Sequence, residues 1–156
     1  MPTIALTPAQ LLEHWLGHRR LTRRTIEVFP EPALFAHHAP GMRTFADMVA
    51  ELNTFLVPTL LGAISGAWHW PTGTRRDATT KDDLLRAFDG VSGELERLLP
   101  SIPETRFLEI DEPLPGRREP VIASLLYFID NEVHHRAQGY VYLRQLGLEP
   151  PPFYRR

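Results

Sequence analysis

The chain has 156 residues, a formal net charge of -2 at pH 7 and no cysteine. Its length suits one domain over residues 1–156, and 43% hydrophobic residues are enough to build a core without disulfides. The composition excludes thiolate metal ligands and cysteine nucleophiles, and the slightly acidic balance disfavours nucleic acid as a partner.

The first half of the chain predicts two amphipathic helices. The segment Thr7–Gln10 combines a capping hydroxyl, a proline for the first helical position and a glutamine three residues on, so a helix should begin there and end near Pro30. A second helix is predicted after the cap at Thr44, where apolar residues repeat at helical spacing. Pro58 should kink or interrupt this helix, because proline lacks an N–H and crowds the preceding turn.

The second half predicts two more helices, separated by a long connection. The third helix starts near Thr80 and carries a single apolar stripe up to Pro100. Residues 103–118 are rich in proline and charge, with a short extended piece at 106–110. Pro120 suits the first turn of a fourth helix that should stop at Gly147. The pattern predicts an all-α four-helix bundle with a long connection before the last helix.

The stretch Asn-Glu-Val-His-His at positions 131–135 is the most informative part of the last helix. Asn131 and His135 are four residues apart, and Glu132 and His135 are three apart, so both pairs can converge on one point. His134 projects about 100° away from His135 and should face a different environment. The stretch is one substitution short of His-Glu-x-x-His, in which two imidazoles hold a divalent ion and the glutamate acts as a base.

Two interpretations of this stretch stay open at the level of sequence. Asparagine is a weak neutral ligand, so a metal would need a compensating carboxylate, and Glu51 lies at the edge of the apolar stripe of the second helix. A mid-helix glutamate is more often solvated or ion-paired, and Asn131 with His135 can equally form a buried polar pair. In a metal-dependent hydrolase, Glu132 would act as the base only if its carboxylate faced the metal.

Residues 128–152, FIDNEVHHRAQGYVYLRQLGLEPPP, resemble the last helix of the DinB/YfiT-like family, whose pattern is approximately D-H-E-x-H-H-R-G-Q followed by an aliphatic run and LG-x-x-PP. The resemblance implies the four-helix bundle and three metal ligands, which fall here on Glu51, Asn131 and His135. The first two stand where the family commonly has histidine. The implied cofactor is a divalent ion (Ni, Zn, Mn or Fe), and the oxygen-rich ligands disfavour a tight zinc site.

The resemblance also implies a function, because characterised relatives include metal-dependent thiol transferases. We expect a metal-dependent thiol transferase or hydrolase with an unknown small-molecule substrate, a possible low-molecular-weight thiol, and Glu132 or His134 assisting catalysis. The alternative is a degenerate, non-catalytic bundle, possibly stress-related, that binds a small molecule or dimerises. Relatives are often dimers, which implies a homodimer. A DNA-linked role has only the arginine cluster at 19–24 in its favour, and the net charge opposes it.

Several other features have two interpretations each. The aromatic pair around Trp68 and Trp70 could line a substrate pocket, but a core plug is favoured, and Tyr142 could be a pocket wall or a buried ring. The arginines at 19–24 should form a solvated helix face. The N-terminal residues lack the pattern of a secretion signal, and no segment approaches the roughly 18 apolar residues that span a bilayer. These features predict a cytoplasmic protein without membrane contact.

Overall fold

A computed structural model of the chain describes residues 6–156, within which it forms five α-helices and one small sheet. The four long helices confirm the predicted all-α bundle, and a short helix and a hairpin lie in the connections. The helices are α1 (Pro8–Val28), α2 (Glu31–Ala36), α3 (Phe45–Ser65), α4 (Lys81–Leu98) and α5 (Val121–Gln145), and the strands are β1 (Ile110–Leu114) and β2 (Arg117–Pro120).

Local signals in the sequence set the helix boundaries. The Thr7 hydroxyl accepts from the backbone N–H of Gln10, whose side chain in turn caps the backbone of Thr7, so α1 begins with the predicted capping box. Thr44 and Thr80 cap α3 and α4 in the same way, through their side-chain oxygens. After α5, Gly147 adopts the left-handed conformation at φ 76°, which ends the helix where predicted.

Helix α3 runs without a break through Pro58, so the prediction of an interruption there is wrong. The proline leaves the carbonyl four residues earlier without its usual N–H donor. Leu56 and Leu60 on either side are buried in the core. Packing of this helix therefore overrides the local cost of the proline.

Helix α3 also corrects the expectation that no segment is apolar enough to cross a membrane. Among the described helices, it alone meets that test by length and composition, with a mean hydropathy of 1.4. It packs against α4 and α5 within the bundle, as the core helix of a globular protein does.

The connection before α5 is more ordered than predicted. Residues 104–108 form a 3₁₀ helix, so the extended piece predicted at 106–110 lies instead at 110–114, in β1. Strands β1 and β2 pair antiparallel, with an irregularity between Asp111 and Leu114. Asp111 pairs with Arg106 at 2.6 Å and accepts from the Trp68 indole at 2.9 Å. The hairpin is thereby fixed to the end of α3.

The core of the bundle is divided along its length. Helices α1 and α3 each pack mainly against α4 and α5, so they occupy opposite corners of the bundle. One apolar cluster lies at each end, and buried polar side chains separate the two. The first cluster includes Leu11, Trp15, Leu56, Leu60 and Ile129, the second includes Ile26, Phe29, Phe45 and Tyr142, and the polar layer includes His18, Arg19, Thr22, Glu132, His135 and Arg136.

Candidate functional site

The structure brings Glu51, Asn131 and His135 together at the edge of the polar layer. Glu51 projects from α3, and the other two residues lie one turn apart on the facing side of α5. The Glu51 Oε1 atom lies 3.0 Å from Nε2 of His135 and accepts a hydrogen bond from the Asn131 amide at 3.3 Å. Asn131 and His135 therefore converge as their spacing predicted, and Glu51 of the facing helix lies at the same point.

Protein donors hold both oxygens of the Glu51 carboxylate. Its second oxygen, Oε2, lies 2.5 Å from the guanidinium of Arg43, on the segment before α3. Burial alone raises the pKa of Glu51, but hydrogen bonds from His135, Arg43 and Asn131 outweigh burial and lower that pKa below its ordinary value of 4.5. Glu51 is therefore a carboxylate at neutral pH, already paired with a cation.

This set of donors does not fit a firmly held divalent ion. Within residues 6–156, no three His, Asp or Glu side chains come together in an arrangement able to hold a metal. An ionised Glu51 can only accept, so its hydrogen bond with Nε2 of His135 needs a proton on that nitrogen, and this proton would have to leave before a metal could bind there. The Arg43 charge beside Glu51 would also oppose a cation. Metal binding by Glu51, Asn131 and His135 stays a prediction of the resemblance.

Glu132 lies apart from this group and faces α1. Its side chain is 2% exposed, accepts hydrogen bonds from the Thr22 hydroxyl at 2.6 Å and the Trp15 indole at 3.3 Å, and lies 3.8 Å from the Arg19 guanidinium. A base acting at the same centre as His135 would have to face α3. That geometry is absent, and the position of Glu132 indicates a structural role in the polar layer.

Two buried arginines, Arg19 and Arg136, complete the polar layer. Among the arginines at 19–24, the predicted solvated face is wrong for Arg19, whereas Arg20 is exposed as predicted. Arg19 is 2% exposed, and burial lowers its pKa to about 10 although Glu132 opposes that shift. Arg136 donates to the Thr22 hydroxyl at 3.1 Å and lies 3.0 Å from Nδ1 of His18. Burial, together with Arg136 and Arg156, lowers the pKa of His18 to about 3.

His134 is exposed and turned away from the Glu51 group, as its position on the helix predicted. Its ring centroid lies 5.2 Å from that of His135, with the planes tilted by 59°. The catalytic role predicted for His134 stays a prediction, since an exposed ring outside the cleft has no defined partner there.

An apolar cleft of about 280 Å³ opens beside Glu51 and Asn131. Ser124, Phe128 and Asn131 line it from one face of α5, because residues four and three apart share a helix face. Arg117 and Glu119 close the opposite end. The remaining lining residues come from α3, from α5, from the segment after α3 and from the hairpin: Phe55, Trp70, Pro113, Leu114 and Tyr127.

The lining of the cleft shows which of the aromatic residues Trp68, Trp70 and Tyr142 form a pocket wall and which are packed in the core. Trp70 lines the cleft and donates from its indole to the Pro113 carbonyl at 2.7 Å, whereas Trp68 is the predicted plug and packs directly over Gly62. Tyr142 is fully buried and donates to the carbonyl of Arg43 at 2.9 Å, so it is a buried ring. The hairpin was not predicted to contribute to a ligand site, because a segment rich in proline and charge shows no strand periodicity.

Comparison with known proteins agrees with this architecture. The family model described as the DinB family matches residues 1–156. A DinB-like protein from Bacillus cereus is similar in structure, with 23% identity, a TM-score of 0.76 and coverage of 94% of this chain and 97% of that chain. The DinB-like protein YjoA from Bacillus subtilis has 20% identity, a TM-score of 0.78 and coverage of 94% and 98%. The search of curated proteins found no match. The chain belongs to the DinB family.

Proposed function

We propose that this protein binds a small organic molecule in the apolar cleft without a resident divalent ion, with Glu51 and Asn131 as the polar end of the site and the buried His135 holding Glu51 from behind. One observation carries the proposal. The carboxylate that the resemblance assigns to a metal is held instead by three protein donors, directly beside a cleft with aromatic walls. The polar end is therefore already assembled before any ligand arrives.

The shape and lining of the cleft support this function. Ligand pockets typically span about 300 to 1,000 Å³ and combine apolar walls with a few fixed polar groups. At about 280 Å³, the cleft lies just below the lower limit of that range and suits a small ligand. Its polar groups converge at two ends, whereas Phe55, Trp70 and Phe128 supply the apolar walls between them. This arrangement suits a molecule with an apolar or aromatic body.

The polar end can fix the orientation of such a ligand. Asn131 donates through its amide nitrogen to Glu51, which directs the amide and leaves its carbonyl oxygen able to accept. The ionised Glu51 fixes the proton of His135 on Nε2. The expected chemistry is recognition by hydrogen bonds, with the ionic pair of Glu51 and Arg43 holding the geometry.

A titration followed by NMR tests this proposal. The neutral probe 2-naphthamide should shift the indole N–H resonance of Trp70 in a saturable way, because this ring lines the cleft. The indole of Trp15 is bonded to Glu132 in the core and provides an internal control that should not move. Equal shifts of both indoles, or no saturable shift of Trp70 at millimolar probe, would contradict the proposal.

The second candidate is the metal-dependent thiol transferase or hydrolase that the resemblance implies. The observation in its favour is that Glu51, Asn131 and His135 do converge within hydrogen-bonding distance. The two candidates differ in metal content, which the proposal expects to be far below one ion per chain.

A further inference from the structure

We propose that the far end of the cleft, formed by Arg117, Glu119 and Ser124, is an anion subsite. The ligand is then an elongated amphipathic anion, with an acidic group at Arg117 and an apolar body against the aromatic walls. This inference rests on the proposed function, because it names the class of molecule that the same cleft takes.

Two neighbours, Glu119 and Tyr127, fix the orientation of the Arg117 guanidinium, and Ser124 holds Glu119. Its Nε donates to Oε2 of Glu119 at 2.8 Å, and the other oxygen of Glu119 accepts from the Ser124 hydroxyl at 2.6 Å. The guanidinium carbon also lies 4.7 Å from the ring centroid of Tyr127. Within the described residues, the two terminal nitrogens of Arg117 have no hydrogen-bond partner. The group is held in place with its terminal donors available.

The hydrogen-bonding groups of the cleft that are not yet bonded to protein favour an anionic ligand over a cationic one. Both carboxylates already use their oxygens on protein donors, since Glu51 binds His135, Asn131 and Arg43. Glu119 is likewise occupied by Arg117 and Ser124. A planar guanidinium with two free nitrogens matches a carboxylate in a bidentate arrangement. An amine entering the cleft would instead have to displace an existing ion pair.

The spacing along α5 sets the length of the ligand. Ser124 marks the anion end and Asn131 the polar end, and both line the cleft. Seven residues of α-helix at about 1.5 Å each separate the two ends by about 10 Å. Phe128 lies between them on the same face. A fused aromatic ring that bears a carboxylate spans most of this distance.

Calorimetric titration with three probes of the same shape tests the subsite. The probes are 2-naphthoate, 2-naphthamide and protonated 2-naphthylmethylamine, which carry negative, zero and positive charge. We expect naphthoate to bind about tenfold more tightly than naphthamide, which corresponds to one charge-assisted hydrogen bond. The Arg117→Met variant should lose this preference, whereas Arg117→Lys, which keeps the charge, should retain part of it.

Arg118→Met is the matched control, because Arg118 is the next residue of the same strand, is exposed and lies outside the cleft. It should keep the tenfold preference of the wild-type protein. Equal affinity for naphthoate and naphthamide, or tighter binding of the amine, would overturn the anion subsite while leaving the proposed function intact. Failure of all three probes to bind would overturn both.

Discussion

The replacement Glu132→Gln tests whether this residue stabilises the buried polar layer or acts in the ligand-binding site. It keeps the size of the side chain and removes the charge. Glu132 and Arg19 are each 2% exposed, so the change leaves a buried guanidinium without its carboxylate. Arg19 is already incompletely satisfied, because its Nη1 atom has no hydrogen-bond partner among residues 6–156. The substitution should therefore destabilise the folded state and lower the free energy of unfolding.

The expected size of the effect follows from the geometry. The charged atoms lie 3.8 Å apart, which corresponds to an attraction of about 4 kcal/mol at an effective dielectric constant of 20. The glutamine costs less to bury, but its bond to the Thr22 hydroxyl is no longer charge-assisted. Breaking one partner of a buried pair commonly costs about 3 to 5 kcal/mol, and we expect a loss of unfolding free energy in this range.

Urea unfolding followed by circular dichroism at neutral pH measures this loss. The control is Glu27→Gln, since the pair of Glu27 with Arg23 is largely exposed and should contribute much less. Binding of 2-naphthamide by the folded fraction should be unchanged, because Glu132 lies outside the cleft. A loss below about 1 kcal/mol would refute the assignment of Glu132 to a buried ion pair.

Two further predictions concern the helix packing and the polar layer. A Cβ at Gly139 would lie 2.5 Å from the Phe45 ring, so Gly139→Ala should cost about 1 to 3 kcal/mol, whereas Gly90→Ala, in open space, should stabilise by about 0.5 to 1 kcal/mol. Changes in unfolding free energy of the same sign for both variants, measured against the wild-type protein, would contradict this packing. His18 stays neutral when folded and charges when unfolded, so stability is full above pH 6.5 and falls as the pH drops toward about 3, by at most about 1.4 kcal/mol per pH unit. Urea unfolding between pH 6.5 and 5 should show this slope in wild type and in the exposed control His69→Gln, and a slope that persists in His18→Gln would disprove the role of His18.

The long helices could be predicted because their signals are local. Caps such as Thr7 and Thr80 and a regular apolar stripe act within a few residues, so no knowledge of the tertiary fold is needed. The continuity of α3 through Pro58 depends on packing in the core, and the hairpin depends on contacts distant in sequence, from Trp68 to Asp111 and from Arg106 to the carbonyl of Ala63. No window of sequence contains those contacts, and these elements were therefore mispredicted.

The candidate site was predictable in part for the same reason. Asn131 and His135 are four residues apart, so their convergence on Glu51 follows from helix geometry. Glu132 is one residue further and rotated by about 100° from Asn131, which directs it to α1 instead of α3. Spacing alone could not decide between these faces, because it does not reveal which helix packs on which side.

A signal for the polar layer was nevertheless present in the sequence. Arg19 is four residues after Trp15 and seven before Ile26, so it occupies the core face of α1. An arginine at such a position predicts a buried partner of opposite charge on a facing helix. Grouping Arg19 with its exposed neighbour Arg20 concealed this pattern.

The metal content of the protein distinguishes a preassembled organic-ligand site from a divalent metal centre. Protein purified without a nickel column, before and after incubation with Ni, Zn, Mn or Fe, is analysed by elemental mass spectrometry beside Glu51→Ala and His135→Ala. We expect far less than one ion per chain in all three proteins, because protein donors already hold Glu51. Near-stoichiometric metal in the wild-type protein that is lost in both variants would contradict this expectation and support the metal-dependent enzyme.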